Sequence, residues 1–324
     1  MAFIKDSSIY LSGEVLSKAI PFILIPYLSR KLGVDGYGEL SYYQTYIALF
    51  VIFLGLSQDG AIARYFYFYG KRSLPLIVNS GVLYTISSGV LLIAIAGFFR
   101  SIILIYTILV AIFQSLLSAQ FSIRQCQKRA GDYVYIQVFY SILSLVLTIT
   151  FLEIFNTELV EKRILAILIS NLLSFGFAYW IYNKRNKNRK NFNAKTYRLG
   201  VMYILSFGIP LVLHNMSFFI KGQIDRFFIY HQFSPNELGL YAMGANLASV
   251  FSILIMAVNK AGIPYYYEAI KRNRLTLKNI YRFVMISFFI LPIPSLIILV
   301  VPESVFVFLL GYEYGEVKYF FAIF

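Results

Sequence analysis

Two segments of this 324-residue chain place an acidic and a basic side chain four residues apart within otherwise apolar sequence. The first is "YLSGEVLSKAIPFILIPYLSRKLG", residues Tyr10–Gly33, which carries Glu14 and Lys18. This spacing puts both groups on one helix face, with the acid before the base, which is the favourable order. Either charge alone at the centre of a bilayer costs roughly 2.5–3.5 kcal/mol. We therefore expect this face to turn toward a polar cavity, a neighbouring helix or the headgroup layer.

The second segment, "SFGIPLVLHNMSFFIKGQIDRFF" (Ser206–Phe228), repeats this design with Lys221 and Asp225. Gly208 and Pro210 predict a break in its helix, and the first segment also contains two prolines. Proline removes a backbone hydrogen bond, and in a membrane the freed carbonyl needs another polar partner. We interpret both segments as bent helices beside a cavity. The alternatives are kinks of purely structural origin and charges that only extend to the membrane interface.

The composition bounds the class of protein and the chemistry open to it. Hydrophobic residues make up 59% and charged residues 14% of the chain, whereas a soluble domain is about one quarter charged. We therefore predict a polytopic membrane protein of all-α class. Its single cysteine, Cys126, excludes an intramolecular disulfide, and the two separated histidines offer no metal site. The sequence has no catalytic or cofactor-binding motif, so neither an enzyme nor a cofactor is expected.

Apolar runs long enough to cross about 30 Å of hydrocarbon predict the membrane helices. We expect nine of them, at 9–29, 41–57, 75–99, 101–123, 133–152, 160–182, 199–220, 240–258 and 280–301, and the start of a tenth near Val317. The third and fourth should form a tight hairpin at Arg100. The N-terminus lacks the pattern of a signal peptide, so the first run is expected to stay as a membrane helix.

Lysine and arginine set the expected orientation. A cytoplasmic N-terminus puts twenty of the 29 basic residues in cytoplasmic segments and eight on the opposite side, which favours this orientation. The net charge of +14 is then a topology signal near anionic membrane lipids rather than a nucleic-acid site. The densest basic stretch, 184–198, is predicted to be a cytoplasmic linker. It would join an N-terminal six-helix lobe, 1–183, to an incomplete C-terminal lobe, 199–324.

A weak internal repeat supports the two lobes. "SRKLGVDGYGELSYYQTYIAL" begins at Ser29 and "YHQFSPNELGLYAMGANLASV" begins at Tyr230, and a shift of 201 residues places Gly38 on Gly239. Each copy follows one long apolar run and precedes another. Parallel repeats are typical of transporters with two helical lobes around a site at the membrane midplane. A second lobe of six helices needs more chain than this sequence offers, so we expect C-terminal truncation.

Four motifs follow one another along the chain. They are the Leu-Gly-x-x-x-Tyr-Gly turn from Leu32 to Gly38, "GLSQDGAIARY", "QIDRFFIYHQFSPNELGLYAMGANL" and "LLGYEYGEVKYF". Their order and spacing resemble polysaccharide-biosynthesis exporters, the Wzx-type O-antigen flippases of the multidrug/oligosaccharidyl-lipid/polysaccharide (MOP) superfamily. The likeness covers essentially the whole chain. It implies the two-lobed fold of this superfamily, which includes the MATE multidrug exporters, with twelve helices in complete members.

The resemblance implies a flippase that moves an undecaprenyl-pyrophosphate-linked oligosaccharide repeat, of O-antigen or capsule type, from the cytoplasmic to the periplasmic face of the inner membrane by alternating access. A pyrophosphate needs cations, and the expected substrate-binding residues are Lys18, Arg64, Lys221 and Arg226. A coupling ion, H⁺ or Na⁺, needs an anionic or titratable group, for which Glu14 and Asp225 are the candidates. Polysaccharide polymerases are candidate partners.

Three other interpretations stay open on the sequence alone. A cation-coupled multidrug exporter of the same superfamily would favour buried acids, whereas bases are at least as common in this chain. A membrane enzyme such as a polymerase or ligase would carry a large periplasmic loop with catalytic residues, which the sequence lacks. The third interpretation is a truncated transporter without activity.

Overall fold

The structure is a computed structural model that describes residues 2–70, 74–185, 192–251, 278, 281–282, 284–285, 288 and 293–323. Every regular element in these ranges is a helix, which confirms the all-α prediction. The helices are α1 (Ala2–Gly55), α2 (Gln58–Tyr69), α3 (Leu74–Phe98), α4 (Ile102–Cys126), α5 (Ala130–Ile154), α6 (Leu159–Arg185), α7 (Ala194–Gln223), α8 (Asp225–Gln232), α9 (235–251), α10 (Ile293–Val300), α11 (Glu303–Leu310) and α12 (Val317–Ile323). A 3₁₀ turn, Tyr312–Tyr314, joins α11 to α12.

Six helical stretches of the described residues are long and apolar enough to cross a membrane. They are Val15–Tyr69, Leu74–Phe98, Ile102–Cys126, Ala130–Ile154, Leu159–Lys184 and Ala194–Gln223. These stretches account for the first seven predicted runs, because the first stretch covers most of 9–29, from residue 15 onward, and all of 41–57. The predicted runs at 240–258 and 280–301 fall partly outside the described residues, so the count of nine stays a prediction. The chain is a multi-pass membrane protein.

A single glycine interrupts α1. Gly33 has φ 68° and ψ −179°, a left-handed φ that glycine adopts without steric cost. The Tyr314 hydroxyl donates to the Gly33 carbonyl at 3.0 Å, and the Val34 amide donates to the Glu313 carboxylate at 3.3 Å. These bonds satisfy backbone groups that the break removes from the helix ladder. The prediction of a turn from Leu32 to Gly38 is therefore wrong for the residues after Gly33, because the chain is helical again from residue 34.

The connection between α3 and α4 is the predicted tight hairpin. Helix α3 ends at Phe98, α4 begins at Ile102, and Arg100 between them has φ 52°. The Ser101 hydroxyl accepts the Leu104 amide at 3.4 Å and so caps the first turn of α4. The prediction from two adjoining apolar runs is confirmed here.

Helix α7 does not have the break predicted at Gly208 and Pro210. It runs without interruption over Ala194–Gln223, with Pro210 inside it. A membrane helix tolerates proline where neighbouring groups satisfy the freed carbonyl. Gly208 serves close packing instead, because a Cβ there would lie 2.3 Å from the Leu56 carbonyl oxygen. The glycine lets α7 approach the turn that follows α1.

The chain divides into two compact units. The first unit comprises Met1–Ile25 and Leu40–His231, and the second comprises Pro26–Glu39 and Gln232–Phe324. Helix α6 extends to Arg185 and α7 starts at Ala194, so the described ends of the predicted linker 184–198 are largely helical. The lobe boundaries of the sequence analysis stay a prediction.

Within the second unit, two glycines let α1 and α9 touch backbone to backbone. A Cβ on Gly38 would lie 1.9 Å from the Pro235 carbonyl oxygen, and a Cβ on Gly239 would lie 2.1 Å from the Val34 carbonyl oxygen. The contact is reciprocal, since the shift that relates Gly38 to Gly239 also relates Val34 to Pro235. Reciprocal contacts arise where two copies of one motif pack about a local twofold axis. This packing supports the internal repeat.

We expect Gly38→Ala to lower the melting temperature of the protein. The added methyl group overlaps the backbone of α9, and overpacking of this kind typically costs about 1–3 kcal/mol. Gly239→Ala should act in the same way, because it overlaps α1. The matched control is Gly176→Ala in α6, since nothing lies within 4 Å of a Cβ at that position. Thermal unfolding of the purified variants in detergent tests this, and equal melting temperatures for Gly38→Ala and Gly176→Ala would contradict the close crossing.

Candidate functional site

Three charged side chains are buried among the described residues, and all three are arginines. Their exposed fractions are 2% for Arg124, 8% for Arg163 and 9% for Arg226. No aspartate or glutamate of the described part of the chain is buried to this extent. Arginine keeps its charge at any physiological pH. Since all three residues belong to the first unit, the interior of that unit is cationic.

Arg124 joins the end of α4 to α6. Its guanidinium donates to the Gln120 carbonyl at 2.9 Å within α4, and also to the Ala178 carbonyl of α6. The Gln120 side-chain oxygen accepts a further bond from the same group. Backbone and amide oxygens thus surround this charge, so Arg124 acts as a clamp between two helices rather than as a group open to a substrate.

Arg163 lines a cavity inside the first unit. The cavity has a volume of about 280 Å³ and is bounded by residues of α1, α4, α5 and α6. Its polar lining consists of Gln44, Gln114, Tyr140, Ser141, Ser144 and Arg163, and the described lining contains no acidic residue. The remaining lining side chains are apolar, among them Pro21 of α1. The cavity therefore combines one permanent positive charge with several neutral hydrogen-bonding groups.

The position of Arg163 depends on the packing of α5 against α6. Its guanidinium donates to the hydroxyl of Thr148 on α5, and that hydroxyl in turn donates to the Ser144 carbonyl one turn earlier. The β-branched Thr148 is fully buried and has a restricted rotamer, so it gives the guanidinium a defined partner. Arg163 is thereby oriented by one hydroxyl on the helix that also supplies much of the cavity's polar lining.

Arg226 is the second residue of α8 and contacts α1. Its guanidinium donates to the Ser41 hydroxyl at 3.1 Å. Its backbone amide donates to the Asp225 carboxylate at 3.0 Å. Asp225 is the first residue of α8, where a negative charge is favoured by the helix dipole. Two of the predicted site residues, Asp225 and Arg226, are therefore adjacent at one helix terminus.

Aromatic side chains of α1 and α8 form a cluster that starts one residue after Ser41. Tyr42 stacks on Tyr230 with ring centroids 4.0 Å apart and an interplanar angle of 12°. The Tyr42 hydroxyl lies 2.9 Å from His231 Nε2 and 3.0 Å from the Tyr46 hydroxyl. The spacing of Tyr42 and Tyr46 marks one helix face in the sequence, but this signal does not show which helix the face meets.

The other predicted site residues lie elsewhere. Arg64 is exposed on α2, with its guanidinium carbon 5.7 Å from the ring centroids of Phe68 and of Phe207 on α7. Lys221 is exposed in the last turn of α7. The side chains of Glu14 and Lys18 lie outside the described residues, although the backbone of α1 is helical there. Lys221 and Asp225, predicted to share one helix face, belong to the consecutive helices α7 and α8.

Arg64 and Arg226 lie at different depths in the first unit. Arg64 contacts Phe207, and α7 continues from that residue to Gln223, a rise of about 24 Å at 1.5 Å per residue. Arg226 follows on α8. A single phosphate group therefore cannot contact both guanidinium groups, and the two arginines can act only at separate points along a path.

The sequence interpretation missed Arg163 as a site residue and treated Arg124 only as a charge that sets topology. In the sequence, both residues look like ordinary basic residues near the ends of apolar runs. The signal that distinguishes Arg163 is its position five residues into α6, inside a predicted run. Within the described residues no group of three or more histidine, cysteine, aspartate or glutamate side chains could hold a metal ion.

Comparison with known sequences places the chain among proteins of polysaccharide biosynthesis. A family model described as "polysaccharide biosynthesis protein" matches residues 3–270. Two proteins of Haemophilus influenzae align with the entire chain and with 80% of their own length. One is a protein of the Lsg locus, 52% identical, and the other is an uncharacterised membrane protein, 54% identical.

Solved transporter structures share the fold. A MATE crystal structure in the straight conformation has a TM-score of 0.61 at 18% identity and covers 99% of this chain and 77% of its own. A MOP superfamily transporter from Pyrococcus furiosus, described as having a binding pocket of reverse polarity, has a TM-score of 0.56 at 18% identity over 98% and 75%. An outward-facing MATE transporter has a TM-score of 0.54 at 19% identity over 98% and 74%. At these identities the likeness shows the fold alone.

We expect Arg124→Gln to destabilise the protein, because it removes the donor from the Ala178 carbonyl between α4 and α6. A buried hydrogen bond to a charged group contributes about 1.5–3 kcal/mol, so the melting temperature should fall. Lys128→Gln is the matched control, since it removes the same charge at an exposed position just after α4. If both variants unfold at the temperature of the parent protein, Arg124 is not a structural clamp.

Proposed function

Since this chain belongs to the polysaccharide biosynthesis protein family and has the fold of MOP superfamily transporters, we propose that it is a flippase for a lipid-linked oligosaccharide. Its substrate is an undecaprenyl-pyrophosphate-linked repeat unit of O-antigen or capsule type. The chain moves this unit from the cytoplasmic to the periplasmic face of the inner membrane by alternating access. Membership of the polysaccharide biosynthesis protein family was expected from the sequence motifs and is confirmed.

One observation carries the proposal: Arg226, a predicted site residue, is buried at the start of α8, whereas no acidic side chain of the described residues is buried to the same extent. A pyrophosphate is anionic, and arginine binds phosphate oxygens through two parallel charge-assisted hydrogen bonds. An exporter of cationic drugs would need buried carboxylates instead. The described part of the chain buries none to the same extent, so this alternative has weaker support than an anionic substrate.

The polar part of the substrate sets a second requirement. A glycan carries many hydroxyl groups, and each loses its water partner on entering hydrocarbon, which costs several kcal/mol unless a protein group replaces it. A transporter must therefore offer hydroxyl and amide groups along the path. The lipid tail needs no such path, because it can stay in the membrane while the head group crosses.

The predicted site residues keep their roles within this proposal. Lys18, Arg64, Lys221 and Arg226 bind the pyrophosphate, and Glu14 and Asp225 couple transport to H⁺ or Na⁺. Because Arg64 and Arg226 lie at different depths, they act in turn. With a cytoplasmic N-terminus, Arg64 stands near the cytoplasmic entrance and Arg226 near the periplasmic exit. Polysaccharide polymerases would receive the product on the periplasmic side.

Reconstitution tests the proposal directly. The purified chain is placed in liposomes with a fluorescent undecaprenyl-pyrophosphate oligosaccharide, and a membrane-impermeant quencher reports which leaflet the label occupies. We expect the quenched fraction to rise with time beyond that of protein-free liposomes. Equal curves with and without protein would contradict a flippase, and uptake of a cationic dye in the same vesicles would favour the multidrug alternative.

We expect Arg226→Gln to slow this translocation by about tenfold or more, the equivalent of one lost charge-assisted hydrogen bond of about 1.5–3 kcal/mol. Arg226→Lys should keep part of the rate, because it retains the charge but not the paired donors. Lys162→Gln, which removes a partly buried charge paired with Glu158 at 3.4 Å, is the control and should leave the rate unchanged. A rate for Arg226→Gln equal to that of the control would exclude Arg226 from the path.

A further inference from the structure

The connection between α1 and α2 interrupts a membrane helix near the middle of its neighbours. It consists of Leu56 and Ser57, which we call the joint. Gly55, just before the joint, lies against Ser115, because a Cβ at position 55 would be 3.2 Å from the Ser115 hydroxyl oxygen. Thr85 donates a hydrogen bond to the last turn of α1 at 3.0 Å. Since Ser115 and Thr85 are close to the middle of the 25-residue helices α4 and α3, the joint lies deep in the membrane.

The backbone of the joint is strained. Leu56 has φ 44° and Ser57 has φ 50°, a left-handed conformation that crowds the Cβ atom of any residue except glycine. The other described non-glycine residues with positive φ are Arg100, Lys128 and Glu158, each in a connection at the ends of two membrane helices. Strain of this kind persists only where the surrounding structure holds it, and it is often found in segments that switch conformation.

Hydroxyl groups of α3 replace helix hydrogen bonds beside the joint. The Tyr84 hydroxyl donates to the Phe53 carbonyl at 2.9 Å, and the Thr85 hydroxyl donates to the Leu54 carbonyl. In an uninterrupted helix, these two carbonyls would accept the amides four positions further along the chain. Both the interrupted and the continuous helix therefore give these carbonyls a donor, as the membrane interior requires.

Helix α7 holds the joint in its interrupted form. The Asn215 side-chain amide donates to the Ser57 hydroxyl at 2.9 Å, and both residues are half-buried. Gly208 lets α7 contact Leu56, whose carbonyl oxygen would lie 2.3 Å from a Cβ at position 208. Contacts from one helix thus reach both left-handed residues. A hydrogen bond between neutral groups is weaker than one to a charged group, so Asn215 can hold the joint without making it permanent.

We propose that the joint is a two-state hinge. In the state of this structure, Leu56 and Ser57 are left-handed and Asn215 is bonded to Ser57. In the other state, both residues adopt right-handed helical angles, the bond to Asn215 is broken, and α1 and α2 form one continuous helix. Release of the backbone strain offsets the loss of that bond. This inference holds whatever the protein transports.

The hinge also separates two arginines of the transport path proposed above. Arg64 lies on α2, whereas Arg226 is bonded to Ser41, which lies on α1 before the joint. Bending at the joint changes the direction of α2 relative to this part of α1. This step alone rests on the proposed function: the change would present the two arginines to the substrate in turn.

Distances between spin labels test the hinge without any substrate. The labels are attached to Asp35→Cys on α1 and Tyr67→Cys on α2, both exposed positions, in a protein with Cys126→Ser in nanodiscs. A continuous helix places these positions about 48 Å apart, and a bend brings them closer. We expect a dominant shorter distance and a minor one near the longer value. A control pair at Tyr135 and Ile154, on the uninterrupted helix α5, should give a single distance.

Matched variants separate the backbone preference from the hydrogen bond. Ser57→Ala and Ser57→Gly both remove the hydroxyl, but alanine favours the right-handed helix, whereas glycine adopts left-handed angles without steric cost. We expect Ser57→Ala to raise the fraction at the longer distance several-fold and Ser57→Gly to keep the shorter distance dominant. Asn215→Ala should also raise the longer fraction. Ser217→Ala, which removes a hydroxyl bonded within α7, is its control. The same distance distribution in the parent and in all these variants would reject the hinge.

Translocation in liposomes shows separately whether the hinge serves transport. We expect Ser57→Ala to slow translocation several-fold, because it favours one of two states that a transport cycle needs. A variant that shifts the distances but translocates at the parent rate would overturn the role in transport. If the parent protein itself does not translocate the lipid-linked oligosaccharide, the proposed function fails, whereas the distances still decide whether the joint is a hinge.

Discussion

A charge inside a membrane bundle has to be met by polar groups of the protein, and this requirement organises the first unit. Each of the three buried arginines crosses from its own helix to another: Arg124 to the Ala178 carbonyl, Arg163 to the Thr148 hydroxyl and Arg226 to the Ser41 hydroxyl. Lipid tails are as apolar as leucine, so the hydrophobic effect alone does not select which helices pair. Hydrogen bonds do select the helix pairs, because lipid tails offer no hydrogen-bond partners. In this protein they join α4 to α6, α5 to α6 and α1 to α8.

The second unit relies on small residues instead. Gly38 and Gly239 let α1 and α9 approach so closely that backbone meets backbone, a mode of packing that van der Waals contact makes favourable in membranes. Gly33 opens α1 in the same unit, and Tyr314 closes the resulting gap with a hydrogen bond to its carbonyl. In this unit, close shape complementarity selects which helices pair, whereas in the first unit the hydrogen bonds of buried arginines select them.

The three buried arginines differ in their surroundings. Arg124 is surrounded by oxygens of its own protein and holds two helices together, whereas Arg163 borders an open cavity and Arg226 lies at a helix terminus beside tyrosines. Burial alone therefore does not distinguish a structural arginine from a binding one. A cationic interior of this kind is consistent with the anionic substrate proposed for this chain.

The sequence by itself determined the class, the helices and the family. Hydropathy is a local property and the bilayer imposes a length, so the runs behind α3 to α7 and the hairpin at Arg100 could be read directly. Tertiary structure decided what depends on neighbours. The structure shows that Gly33 alone interrupts α1 and that α7 stays continuous through Pro210. It also showed which arginines are buried. Residue spacing tells which side chains share a face of one helix, but only packing decides what that face meets.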